Sequence, residues 1–229
     1  MILALSTAQS IHELALLSQD PVDHSCTLIK EARWPEDRKD VESLVPRLQE
    51  LLNDCGATKE EITALVVVKG PGSFTSLRTG VAFANALAEG LRADQAVELY
   101  EMSTFEALAR KAASTDPLLV LLPAGGLDAG LFYEGTVQVG PLSTLLAKIP
   151  HNPKLKVVAE LSETLSDELK SLVLEKGWKL LEAHELQTLG ESLQTLGLRG
   201  LEKIQTVEPL YLRGPKITLS SDPWKQPRA

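Results

Sequence analysis

Short apolar runs along the chain alternate with stretches in which apolar residues return every three or four positions, and the order of the two patterns predicts an α/β protein. Ile2 to Leu5 and Leu14 to Leu17 are apolar runs separated by polar Ser-Thr-Ala-Gln-Ser, which predicts two strands joined by a short turn, with a third strand from Cys26 to Ala32. Val41, Leu44, Val45, Leu48, Leu51, Leu52 and Cys55 then recur at spacings of three and four, an amphipathic helix that Gly56 stops. Thr58 to Glu61 fits a capping box on a short turn, and Ala64 to Val68 has the length and β-branched content of a buried strand. A glycine-broken corner follows, then an alanine-rich helix, a strand from Val97 to Tyr100, and a second capping box, Ser103 to Glu106, opening a helix to about Ala113.

After Pro117 the pattern restarts. Strands are expected at Leu118 to Leu122, Gly130 to Tyr133 and Thr136 to Val139, then a helix from Leu142, a strand at Val157 to Ala159, a helix from Glu163 to Lys176 ended by Gly177, and a strand at Trp178 to Leu181. Glu185 to Lys203 reads as helical, weakened by Gly190, Gly197 and Gly200. From Gly214, three prolines predict an irregular tail. Two successive sets of three strands followed by mixed helices and strands support an α/β class, with expected boundaries at 1–103, 104–213 and 214–229.

The corner carries the strongest chemical signal. Gly70, Pro71 and Gly72 break the strand, Ser73 or Thr75 can cap the helix, and Arg78 sits one turn further on. Strand, glycine turn and helix N-terminus gather backbone N–H groups, so the corner reads either as an anion site or as a plain strand-to-helix turn. It lacks the Lys-Ser/Thr pair of a Walker loop and the spacing of a dinucleotide fingerprint. From Thr79 to Ala88 the helix alternates small residues (Gly80, Ala82, Ala84, Ala86, Ala88) with Val81, Phe83 and Leu87, so it is expected to be covered on more than one side, by its own domain or by another subunit.

Gly70 to Gly80 closely resembles the Gly-Pro-Gly-Ser-Phe-Thr-Gly-Leu-Arg-x-Gly signature of the TsaB family, also called YeaZ. The opening Met1-Ile-Leu-Ala-Leu-Ser-Thr-Ala is similar to that family's start, and Glu208-Pro-Leu-Tyr-Leu-Arg213 to its near-terminal motif. Ser6 stands where the family usually has Asp, Ser76 where it has a second glycine, and Gly125-Gly126-Leu127 where it has Asp-Ala-Arg. The resemblance implies two ribonuclease-H-like lobes of the actin-like ATPase, sugar kinase and Hsp70 superfamily. It also implies a non-catalytic scaffold for N6-threonylcarbamoyladenosine formation at position 37 of tRNAs reading codons that begin with A. That scaffold would bind and stabilise the catalytic subunit TsaD, work with the ATPase TsaE, form a homodimer when the partner is absent, and meet tRNA only through the complex. Its signature loop would be Gly70, Gly72, Ser73, Phe74, Thr75, Arg78 and Gly80. Its expected partner face, in a four-helix arrangement, would be Val41, Leu44, Val45, Leu48, Leu52, Leu77, Val81, Ala84 and Leu87.

Composition narrows the chemistry. A chain of 229 residues, 44% hydrophobic, can bury a sizeable core. A net charge of −8 argues against a broad phosphate-neutralising surface and hence against tight direct tRNA binding. Cys26 and Cys55 suggest packing residues in a reduced cytoplasmic setting, and neither an export signal nor a membrane span is evident. His12, His24, His151 and His184 include no pair at metal-ligating helix spacing, and Gly72-Ser73-Phe74 is not a nucleophile elbow. No cofactor is expected on this chain alone, with ATP and a metal ion used by the assembled complex. The competing reading is an autonomous actin-like or sugar-kinase-like ATPase; Ser6 and the Gly125 to Leu127 triplet count against it, because Mg²⁺ requires carboxylate oxygens.

Overall fold

The computed structural model describes residues 1–36 and 40–213, with the side chains of residues 40–42 set aside. The tail expected to be irregular and the side chain of Val41 lie outside the described residues.

The first sheet opens with an antiparallel meander of β1 (Ile2–Ser6), β2 (Ile11–Gln19) and β3 (Cys26–Pro35). Helix α1 (Asp40–Asp54) leads to β4 (Ala64–Val68), parallel to β1, and α2 (Phe74–Arg92) leads to β5 (Glu98–Met102), parallel to β4. Every residue of β1 and β4 is buried, as expected of apolar strands covered on both faces. Ile29 is an extra residue in β3, where the register steps from Leu16 opposite Lys30 to Leu17 opposite Leu28.

Helix α3 (Thr104–Lys111) begins on the expected capping box: the Glu106 amide donates to Ser103 Oγ at 3.1 Å, and the Ser103 amide donates to Glu106 Oε2 at 2.7 Å. The second sheet repeats the first. Strands β6 (Leu118–Pro123), β7 (Asp128–Tyr133) and β8 (Thr136–Pro141) form a meander; α4 (Leu142–Ala147), β9 (Lys156–Ala159), α5 (Glu163–Lys176) and β10 (Lys179–Leu180) follow, with β9 parallel to β6 and β10 parallel to β9. Both sheets therefore run third, second, first, fourth, fifth in their own strands, the ribonuclease-H-like arrangement duplicated in actin-like ATPases and sugar kinases.

The expected helix from Glu185 to Lys203 is corrected. Only α6 (Leu189–Leu196) is α-helical, because Thr188 caps it at the start and Gly197, at φ 61°, ends it. Glu202–Ile204 is instead a strand, β11, antiparallel to the outer edge of β5. The expected 104–213 lobe therefore does not stay together in space. α6 lies on β1, β2 and β3, and Leu189, Leu193 and Val207 join the first lobe's core. The edge of β5 that β11 pairs would otherwise offer unpaired backbone groups, which gives the returning chain its place. Between the two cores, Phe105, Leu108, Val120, Leu122, Val158 and Leu181 form an apolar seam, with α3 against both α6 and β6.

Candidate functional site

The two lobes meet along a cleft, and the glycine corner forms one wall of it. Beyond β4 the chain runs through Gly70, at φ 103°, and Pro71 to Ser73, the residue before α2. A Cβ at Gly72 would overlap the Ala8 carbonyl, so this position admits only glycine while the β1–β2 turn lies against it. Gly80, one face further along α2, packs against Thr7, whose hydroxyl donates to the Ser76 carbonyl at 2.7 Å.

Several groups of the corner are engaged within the chain. The Ser73 amide donates to the Ala8 carbonyl at 3.0 Å and the Thr104 amide to the Gly70 carbonyl at 2.7 Å. The Ser73 hydroxyl donates to the Glu36 carboxylate instead of capping α2, and the Ser76 hydroxyl donates to the same oxygen at 2.7 Å. The corner is a strand-to-helix turn whose serine hydroxyls meet the chain's own Glu36 carboxylate. Ser6, at the end of β1, is buried with its hydroxyl unpartnered. A nucleotide phosphate is not matched by these residues: the hydroxyl donors face a carboxylate, and the acid that would hold a metal is replaced by Ser6.

Across the cleft, Gly125, Gly126 and Leu127 make the β6–β7 turn, with Leu127 70% exposed, and bring no charged group to it. Ala8, Ser10, Glu36, Gly72, Thr104 and Glu160 line a cavity of 240 Å³ here. A larger cavity of 610 Å³ lies elsewhere, bordered by Cys26, Arg110 and Gly197. Burial pushes the Cys26 thiol up, away from the thiolate a nucleophile needs. The Arg110 guanidinium is lowered by burial and is engaged with the Gly197 and Arg199 carbonyls. Among the described residues no three His, Cys, Asp or Glu side chains are grouped to hold a metal ion. His12 is buried edge-on against Trp34, at 5.6 Å between ring centroids, while His24, His151 and His184 are exposed.

The signature loop and the near-terminal motif, far apart in sequence, meet at Arg78. Its guanidinium lies 3.8 Å from the centre of the Phe74 ring, and its Nε donates to the Tyr211 hydroxyl at 2.8 Å. The Leu210 amide donates to the Lys69 carbonyl at 2.7 Å, and Asn85 exchanges two hydrogen bonds with Val207. The segment after β11 thus covers one flank of α2. Thr75 stays exposed on the other.

The expected partner face is corrected. Leu44, Leu48, Leu52, Leu77, Val81 and Ala84 are at most 6% exposed and belong to the first lobe's own core. The reason is that an apolar stripe with a spacing of three and four turns toward whatever surface lies beneath the helix, and beneath α1 and α2 that surface is their own sheet. Val45, 48% exposed, and half-buried Leu87 remain available. The outward face of α2 is instead Thr75, Arg78, Ala82 and Ala86, with Thr79 and Phe83 half-buried. Its signal in the sequence is the second set of small residues, offset from Leu77, Val81, Ala84 and Ala88. Glu36 and Glu160 had no such signal: each is an acid just past a strand end, with no motif around it. No helix among the described residues is long and apolar enough to cross a membrane.

The family model described as TsaD: tRNA N6-adenosine threonylcarbamoyltransferase matches residues 35–146, a span that contains α1, the corner and α2. Over 137 residues the chain is 31% identical to the tRNA threonylcarbamoyladenosine biosynthesis protein TsaB of Bacillus subtilis (strain 168), covering 60% of this chain and 55% of that protein. Over 89 residues it is 33% identical to the protein of the same name from Escherichia coli (strain K12), covering 39% and 36%. The chain thus spans about half or less of the length of these relatives. A solved structure, that of an uncharacterized protein with similarity to peptidase YEAZ from Pseudomonas aeruginosa, superimposes with a TM-score of 0.67 over 93% of this chain and 99% of that one. At 20% identity that likeness shows the shared fold. Two TsaB sequences matched over part of this chain, together with the motifs joined at Arg78, point the same way: the chain is similar to the TsaB/YeaZ family.

Proposed function

We propose that this chain is a scaffold subunit without catalysis of its own, needed for N6-threonylcarbamoyladenosine formation at position 37 of tRNAs reading codons that begin with A. It binds and stabilises TsaD, works alongside TsaE, and pairs with a second copy of itself when TsaD is absent. tRNA is reached only through the assembly, and ATP and a metal ion are used there and not by this chain. The names of its relatives support the pathway, and the cleft's engagement by the chain's own carboxylates supports the lack of catalysis.

The observation that carries the reading is the outward face of α2. Ala82 and Ala86 are exposed one turn apart, between half-buried Thr79, Phe83 and Leu87, and Val45 is exposed on α1, which packs against α2. Small residues let a second helix approach to about 8–10 Å between axes. Completing the burial of Phe83, Leu87 and Val45 contributes part of the ~1.5–3 kcal/mol each that full burial brings, set against the cost of association.

The test is Ala86→Arg. Size-exclusion chromatography and co-purification with TsaD are expected to show both assemblies lost with the monomer folded. An unchanged elution volume and undiminished TsaD binding would overturn the interface. Calorimetric titration of the isolated chain with ATP and Mg²⁺ is expected to give no stoichiometric binding; a saturable site would instead support the autonomous ATPase.

A further inference from the structure

The β9–α5 corner is the second lobe's counterpart of the glycine corner. Where the first lobe continues from its fourth strand as Lys69-Gly70-Pro71, the second continues as Glu160-Leu161-Ser162. Glu160 reaches across the cleft to the β1–β2 turn. Its Oε1 accepts the Ser10 amide at 2.7 Å and the Ser10 hydroxyl, and its Oε2 accepts Gln9 Nε2 at 2.8 Å. Both carboxylate oxygens are therefore held by donors from the opposite lobe. The Gln9 carboxamide is oriented in turn: its oxygen accepts Lys111 Nζ at 3.4 Å, and Lys111 is paired with Glu13. Glu13, 2% exposed, also accepts the Leu189 amide at 3.2 Å and lies 3.4 Å from Arg33 Nε. One polar network thus runs from α6 and β2, through α3 and the turn, to the second lobe.

We propose that Glu160 is a clasp that holds the two lobes closed. The apolar seam beneath it is non-directional and permits rocking of one sheet against the other, whereas a carboxylate held at both oxygens fixes one angle. Thr104 is wholly buried and lines the cavity beside Glu160, so opening the cleft would expose it. The clasp does not depend on the scaffold reading; it is a property of the isolated chain.

The experiment is amide hydrogen exchange on the full chain, paired with small-angle scattering, for the wild type, Glu160→Ala and Glu160→Gln. In the wild type the Ser10 amide is expected to be protected. Glu160→Ala is expected to speed its exchange by about ten-fold or more, leave the β1 and β4 amides protected, and move the scattering profile to a larger radius of gyration. Glu160→Gln, with one acceptor and no charge, should fall between the two; it carries the test alone if Glu160→Ala does not fold. An unprotected Ser10 amide in the wild type overturns the clasp. So does an unchanged rate, or an unchanged radius, in the variants.

Discussion

The second helix of each lobe occupies the same place in the same chain trace, and the two helices differ on the side facing away from their sheets. α2 buries Leu77, Val81, Ala84, Ala88 and Leu91, and α5 buries Leu165, Leu169 and Val173. Outward, α2 shows Thr75, Arg78, Ala82, Ala86 and, in its last turns, Glu89, whereas α5 shows Glu163, Asp167, Glu168, Lys170 and Glu175 with the apolar Leu174 among them. A charged face stays solvated at little cost, while a face of small residues offers another backbone a close approach. Their first helices differ too: α1 has 15 residues, but α4 has 6, of which Leu142, Leu145 and Leu146 are buried. On the proposed reading, association would fall to the first lobe, and the second would remain a solvated partner to it.

The largest effects should come from the inner stripes. Leu77→Ala removes a fully buried side chain and is expected to cost about 2–5 kcal/mol, read as a fall in the urea midpoint. Ala84→Arg places a charge at a position 0% exposed and is expected to prevent folding, seen as loss of the cooperative transition. A stable Ala84→Arg monomer would mean that α2 is not seated as described. Next comes the outer face. Ala86→Arg is expected to weaken association by about a hundred-fold or more, a steric and desolvation loss at the centre of a helix contact, with a melting temperature near that of the wild type. Leu174→Arg, at an apolar residue 82% exposed on α5, should leave association unchanged. Equal losses from the two would erase the distinction between the lobes.

A smaller contrast lies at the two corners. Gly72→Ala forces a methyl group into the Ala8 carbonyl and is expected to cost about 1–3 kcal/mol by displacing the β1–β2 turn. Ser162→Ala, at the matching helix start, removes a hydroxyl that makes no cap and should stay within about 0.5 kcal/mol. Denaturation curves of the two variants measure the difference directly.

Much of this frame was legible before any coordinates. Ala64–Val68 and Glu163–Lys176 are delimited as the apolar run and the Gly177 stop predict, and Ser103 and Glu106 form their capping box, because each of these signals is local. What could not be read depends on long-range placement. The stripe of α1 and α2 was visible, but only the sheet beneath it decides that Leu44, Leu48, Leu52, Leu77, Val81 and Ala84 face inward. Glu202–Ile204 carries no strand signal of its own; the free edge of β5 makes it one. The meeting of Arg78 with Tyr211 and of Glu160 with Ser10 likewise joins residues with no periodic relation.

The finest distinction between the sheets is that added sixth strand, and pH reaches it through Glu98. Its carboxylate is held below the ordinary value of 4.5, first by Lys203 from β11 and then by the Tyr100 hydroxyl, which donates to it at 2.6 Å. A depressed folded value means that the stabilisation is complete above the ordinary carboxylate range and disappears as pH falls through the depressed value. Because the side chains of Glu98 and Lys203 are 46% and 57% exposed, solvent screening limits the pair to less than about 1 kcal/mol. Glu98→Gln should therefore lower the urea midpoint slightly at neutral pH, and the wild-type and variant curves should converge in acid. At the other extreme, burial and then Glu98 push the Tyr100 phenol to about 12, so its contribution is present below the ordinary value of 10 and lost as pH rises through about 12. In Glu98→Gln that late tyrosine should ionise earlier, observable in the ultraviolet titration. If both profiles instead match the wild type, β11 is held by its backbone ladder alone, and the two sheets differ by hydrogen bonds and not by charge.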